Sequence, residues 1–422
     1  MIHFSVQRLI GLCALALASL LAGCGGSSST VNPLVAKRVI AFGDAFSDVG
    51  DGSSPYTTRN GRYTINGATS GGIATITTPT TVAETLANIY GLWSTTPVAR
   101  KMVSGAYPAI TMPTTGVVSY AVGNSMINPA TAYDGLGGSD ATLGTQITQF
   151  LADGGPQEND LIVITAGTRD LLSLAVRYLG RTGNTTTKAA DGSAWTPPTG
   201  LVTTLGGDLA KTDVYSRLDS TTSQLVTQIA KLIDAGAKHV VVLEPMNLSR
   251  TPWGLSLDAT SVSFLRSLSY DTDTSCTSSS NQNSLHCKLT IALSSKYPPT
   301  VYGQKLLAVD IAQYFNLLSG TTSTGSANTY TSYFTQPPTS PACAVSAISS
   351  TSTSTQSSSY VASSIDAAWT AGCDADTTVW TAISSYPFTG FMFADNLNLT
   401  PQGNALLANY IYSSSMYRAA WR

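Results

Sequence analysis

The run Val39-Ile40-Ala41-Phe42, closing on Gly43-Asp44-Ala45, decides the architecture. Four consecutive apolar residues with no polar alternation suit a strand buried on both faces of a parallel sheet. Two more runs have the same form: Leu161-Ile162-Val163-Ile164-Thr165 ends at Gly167, and Val240-Val241-Val242-Leu243 ends at Glu244-Pro245. Helical patterns lie between them. One covers 81–90 and opens with a Thr-x-x-Glu capping box (Thr81, Glu84); others cover 143–151 and 223–235, the latter stopped by Gly236. A last helix starts with Pro401 in its first turn and runs to about 413. Strand, helix and strand in repetition predict an α/β fold, a parallel sheet with helices on both faces.

The chain has 422 residues, 43% hydrophobic and only 11% charged, with 22 basic against 24 acidic side chains. So little charge excludes a nucleic-acid surface, a polybasic membrane patch and a charged disordered tail. Stretches rich in Gly, Ser, Thr and Pro at 51–80, 180–207, 251–285 and 321–385 read as insertions that interrupt one elaborated domain rather than divide it.

The amino terminus points to export. Arg8 precedes an apolar run from Leu9 to Leu21 that is too short to favour a spanning helix and closes in small residues before a cysteine. Leu21-Ala22-Gly23-Cys24 resembles the lipobox of bacterial lipoproteins. That resemblance implies a signal peptide over 1–23, an acylated Cys24 that anchors the chain in the membrane, a flexible linker to about residue 34, and a folded domain over 35–422. Gly25 rather than Asp after the cysteine implies outer-membrane delivery within the cell envelope. Setting aside Cys13 and Cys24, four cysteines remain. Of three possible pairings, sequence proximity favours Cys276 with Cys287 and Cys343 with Cys373. His286 beside Cys287 raises zinc as the competing reading, but no C-x-x-C or H-x-x-x-H spacing supports it, so neither a metal nor a cofactor is expected.

Four blocks, in order, resemble the GDSL, or SGNH, ester hydrolases. Phe42-Gly43-Asp44-Ala45-Phe46-Ser47-Asp48 is similar to the opening G-D-S-L-S-D motif, and Ser119-Tyr120-Ala121-Val122-Gly123-Asn124-Ser125 to the second block. Ala166-Gly167-Thr168-Arg169-Asp170 is similar to G-x-N-D, and Asp395-Asn396-Leu397-Asn398-Leu399-Thr400 to the terminal D-x-x-H-P-T. The resemblance implies a flavodoxin-like three-layer sandwich. It also implies a serine nucleophile, a histidine base oriented by an aspartate, and an oxyanion hole completed by glycine and asparagine. Carried over position by position, the nucleophile is Ala45, the oxyanion glycine is Asn124, the oxyanion asparagine is Arg169 and the base is Asn398. Only Asp395 keeps its family identity, and it lacks the imidazole it would orient. The expectation is therefore a pseudoenzyme with a binding or structural role.

The alternative is a carboxylester hydrolase with Ser47 as substitute nucleophile, which would still need a placed base. Only two histidines follow the signal: His239 starts a strand, far from its carboxyl end, and His286 falls in the expected disulfide loop. Asp44, Arg169 and Asp395 are expected to converge where open α/β sheets bind ligands. There Arg169 either neutralises Asp395 or offers its fork to a small anionic or ester ligand. Trp93, Trp195, Trp253, Trp369 and Trp380 add a glycan as a third ligand class, against the plainer role of packing long loops.

Overall fold

The computed structural model describes residues 34–50, 62–64, 69–70, 73–74, 78–103, 105–123, 125–129, 142–179, 209–255, 257–270, 276, 282–318, 332–339, 341–342, 390–395 and 397–421. Strand β1 is Arg38–Gly43, β2 Thr69–Ser70, β3 Ile73–Ala74, β4 Val98–Ala99, β5 Gly116–Ser119, β6 Asp160–Thr165, β7 Val240–Leu243 and β8 Leu306–Val309. The main sheet has the order β4-β5-β1-β6-β7-β8, and its strands pair in parallel throughout. β2 and β3 form a separate antiparallel pair.

Helix α1 is Val82–Ile89, α2 Leu143–Ala152, α3 Thr168–Leu179, α4 Lys211–Asp234, α5 Pro252–Leu255, α6 Ala259–Ser269, α7 Leu285–Lys296, α8 Ile311–Leu318 and α9 Pro401–Ile411. The Thr81–Glu84 capping box that opens α1 is formed, with Glu84 also held by Arg62. Thr400 caps α9, whose first residue is proline.

Alternate residues of each strand face opposite cores, as the period of two requires. Val39, Leu161, Val163, Val241 and Leu307 pack with Leu86 of α1, Leu171 of α3, Phe264 of α6, Phe315 of α8 and Leu407 of α9. Ile40, Phe42, Ile162, Val240 and Leu306 pack with Ile147 of α2, Ile229 of α4 and Leu289 of α7. Helices thus cover both faces, giving a three-layer α/β arrangement. At the amino end of the sheet Arg38 and Asp160, paired in register on β1 and β6, form a buried two-pronged ion pair at 2.7 and 2.6 Å.

The region 211–285 is more helical than the sequence reading predicts. The helix expected over 223–235 starts earlier, at Lys211, because Val214 and Leu218 reach the first core before Leu225 and Ile229 reach the second. The Ser/Thr-rich stretch 251–285 is in part helical: α5 and α6 bury Trp253, Phe264, Leu265 and Leu268. Trp253 is buried and Trp93 half-buried against the same core, so these two rings pack loops rather than present a sugar-stacking face. Trp195, Trp369 and Trp380 lie outside the described residues.

Of the two expected disulfides, Cys276–Cys287 is formed. Cys343, Cys373 and the expected lipidation site Cys24 lie outside the described residues. Among the described residues no helix is long and apolar enough to cross a membrane.

Candidate functional site

β1 has β5 on one side and β6 on the other, and the connections to them leave over opposite faces of the sheet. A crevice opens at the carboxyl ends of strands where such connections diverge, which is where open α/β sheets bind ligands. Asp44, Ala45 and Phe46 in the turn after β1 and Thr168 and Arg169 at the start of α3 line a small cleft at this point. Tyr63, Gly123 and Leu397 close it, leaving a cavity of ≈ 10 Å³. That is room for about one water molecule.

The turn is built by contacts that need small or hydrogen-bonding residues. Gly43 has φ +112°, and a Cβ there would lie 2.1 Å from the carbonyl oxygen of Thr165. Gln146 of α2 accepts from the Gly43 N–H at 2.7 Å and donates to its carbonyl at 3.0 Å. Asp48 accepts from the N–H groups of Gly50 and Gly123, each at 2.8 Å, and pairs with Lys101. Asp170 accepts from the N–H groups of Ile127 and Asn128, each at 2.9 Å. The first block is thereby tied to the second through Asp48, and the third to the segment just after the second through Asp170.

Asp44 is 2% exposed, and its Oδ1 accepts from Phe46 N–H while Oδ2 has no hydrogen-bond partner. Burial pushes its carboxyl up to about 7, opposed by the Phe46 and Thr168 amides and by the Arg169 charge. At neutral pH the group is poised between an acceptor and a donor, beside a fixed cation.

Three of the four positions that carried catalytic roles by resemblance lie within the described residues. Ala45 puts a methyl group, not an oxygen, on the cleft wall. Arg169 faces the same cleft, and Asn124 lies outside the described residues. The neighbouring Gly123 N–H donates to Asp48. Asn398 donates to Asp395 through its backbone and its side chain, at 2.6 and 3.0 Å, and the Leu397 N–H adds a third bond at 2.7 Å. Leu397 lines the cleft, whereas Asp395, expected to converge there with Asp44 and Arg169, does not line it.

Ser47 is fully buried, its Oγ has no partner, and its carbonyl accepts from Ser119 Oγ at 2.7 Å. It packs under the turn. His239 precedes β7 at the amino end, its ring edge-on to Trp421 at 5.2 Å, and burial lowers its pKa.

His286 is the larger departure from expectation. It is the second residue of α7, not part of a loop, and it sits against Glu244 and Asp310, the residues that follow β7 and β8 at the carboxyl edge. Its Nδ1 is 2.5 Å from Glu244 Oε2. Burial opposes its charge, but the Glu244 hydrogen bond and carboxylate outweigh that and lift the imidazole to about 9. Burial raises both carboxyl groups in turn. Sequence spacing had no signal for this cluster, since its members lie on three separate elements.

No protein-family model and no curated protein matches the chain.

Proposed function

We propose that this chain is an SGNH-like envelope lipoprotein that no longer hydrolyses esters and instead holds a small polar or anionic group in the Asp44–Arg169 cleft. The observation that carries the reading is Ala45: the wall of the cleft at the nucleophile position is a methyl group. Acyl transfer through an enzyme-bound ester needs an attacking oxygen or sulfur, a base within hydrogen-bond reach of it, and donors for the oxyanion. Asn398 supports the same conclusion, since an amide bonded to Asp395 cannot take a proton at neutral pH.

Binding is supported by the cleft's unpartnered Asp44 oxygen and the nearby Arg169 charge. A protonated Asp44 with a guanidinium beside it is a site for one end of a carboxylate or similar oxyanion, which would displace the single water's volume and insert only its tip. The Ser47 hydrolase is disfavoured by that residue's complete burial.

The test pairs a short-chain p-nitrophenyl ester assay with a fluorophosphonate label on the mature protein. Turnover at the buffer rate with no labelling is the expected result. Turnover or labelling lost on Ser47→Ala would replace this reading with the displaced-nucleophile hydrolase. Ligand-detected NMR with short carboxylates should show binding that Arg169→Met removes; no binding by the wild-type chain refutes the ligand half of the proposal.

A further inference from the structure

We infer that Glu244, His286 and Asp310 form a zinc site at the carboxyl edge of the sheet, with three protein donors and a fourth position open to water.

The donors come from three elements: Glu244 follows β7, Asp310 follows the neighbouring β8, and His286 lies in the first turn of α7. One donor atom from each of His286, Glu244 and Asp310 lies within 4.8 Å of the other two, and Nδ1 of His286 contacts Oε2 of Glu244 and Oδ2 of Asp310. Zinc bonds of about 2.0–2.1 Å in tetrahedral geometry set ligand atoms roughly 3.4 Å apart. The Glu244 contact at 2.5 Å would open by about 0.9 Å and the Asp310 contact at 3.8 Å would close by about 0.4 Å, both within the reach of side-chain torsions.

Charge argues in the same direction. A structural ion pair accounts for Glu244, whereas Asp310 caps the first turn of α8 through Oδ1 and keeps Oδ2 beyond hydrogen-bond reach of the same nitrogen. Among the described residues neither carboxylate has a lysine or arginine as salt-bridge partner. A divalent ion that takes the proton's place on His286 balances both. Asp310 is also held from behind, since its Oδ1 accepts from the Gln313 N–H of α8 at 2.9 Å. That bond fixes the carboxylate so that its other oxygen faces the imidazole, as outer hydrogen bonds do for metal ligands. A nitrogen with two carboxylate oxygens is a borderline donor set suited to zinc, and three protein ligands with one open position is the layout of zinc sites that act on a bound molecule.

A sulfur site competes for the same histidine. The sulfur atoms of Cys276 and Cys287 also lie within 4.8 Å of a His286 nitrogen. They are joined in a disulfide, and thiolates would be released only by a thiol reductant.

The test uses the full folded chain, stripped with chelator and kept without reductant. Zinc is titrated calorimetrically, and cobalt(II) serves as a visible probe of nitrogen and oxygen ligation. One zinc per chain is expected. Glu244→Gln and Asp310→Asn should each weaken it at least about tenfold. The Cys276→Ser, Cys287→Ser double variant should bind within about threefold of wild type. Thermal melts of the metal-free variants establish that each is folded. Absence of stoichiometric zinc in the wild-type chain overturns the inference. So does a folded Asp310→Asn with undiminished affinity, or loss of zinc in the double cysteine variant.

Discussion

Asn398 holds Asp395 twice, from its backbone N–H at 2.6 Å and from its side-chain amide at 3.0 Å, so one residue closes a tight ring with a carboxylate three positions earlier. An imidazole at 398 would carry a second, basic nitrogen, and the asparagine amide has no basic nitrogen to offer in its place.

Restoring a hydroxyl alone should therefore do little. Ala45→Ser is expected to leave p-nitrophenyl ester hydrolysis within about twofold of the buffer rate, because catalytic groups act as a unit. Activity should emerge, with sharply non-additive steps, only as Asn398→His, Arg169→Asn and Asn124→Gly are added. Strong turnover by the single variant would mean that a base already stands within reach of position 45.

Asp44 should leave a signature in the pH dependence of stability. Its carboxyl is raised from 3.8 to about 7 in the folded chain, so folding takes up a proton between those values. The group's contribution is fully present below about pH 4, falls as pH rises to about 7 and is constant above. Asp44→Asn should remove this slope, matching wild type at about pH 4 and exceeding it at about pH 8 by up to ~4 kcal/mol. Urea unfolding of both chains at the two pH values measures the difference. A difference that does not change with pH removes the buried, unpaired Asp44 from the account.

The Cys276–Cys287 bridge closes a loop of sequence separation 11 beside the start of α7. Replacing both cysteines by serine should lower stability by about 3 kcal/mol, chiefly by freeing the unfolded chain. Non-reducing peptide mapping should recover this pair joined, and Cys343 joined to Cys373. Free thiols at any of the four positions contradict the pairing.

Membrane attachment should depend on the lipid and not on the folded surface. Cys24→Ala is expected to move the protein to the soluble fraction on cell fractionation. Retention of that variant through a salt wash would assign the attachment to another part of the chain.

The strands β1, β6 and β7 were legible because burial on both faces leaves an uninterrupted apolar run. β5 and β8 were not: Gly116-Val117-Val118-Ser119 has only two apolar residues, and Leu306-Leu307-Ala308-Val309 has one β-branched residue where β7 has three and follows the polar Gly303-Gln304-Lys305. α3 escaped notice for a different reason. Its sequence is amphipathic, but the polar residues Arg169, Asp170 and Ser173 are buried together with Leu171, Leu172 and Leu174, so nothing in its first half marks a solvent face. The cleft residues of the turn and of α3 were legible because they lie next to strand ends. Tyr63, which covers Gly123 so closely that a Cβ there would lie 1.8 Å from its ring, comes from a segment with no strand or helix signal. Glu244, His286 and Asp310 meet only because β7 and β8 are neighbours, a fact of tertiary pairing that no local spacing encodes.

The turn after β1 is braced by Asp48, the start of α3 is tied to Ile127 and Asn128 by Asp170, and neither carboxylate lines the cleft. Shape and reactivity at this edge are therefore vested in different atoms. Positions 45 and 398 can be rewritten without removing the struts at 48 and 170, which makes the chain a ready host for transplanted chemistry. A nucleophile, an acid or a reporter group placed at 45 would inherit walls already fixed around it.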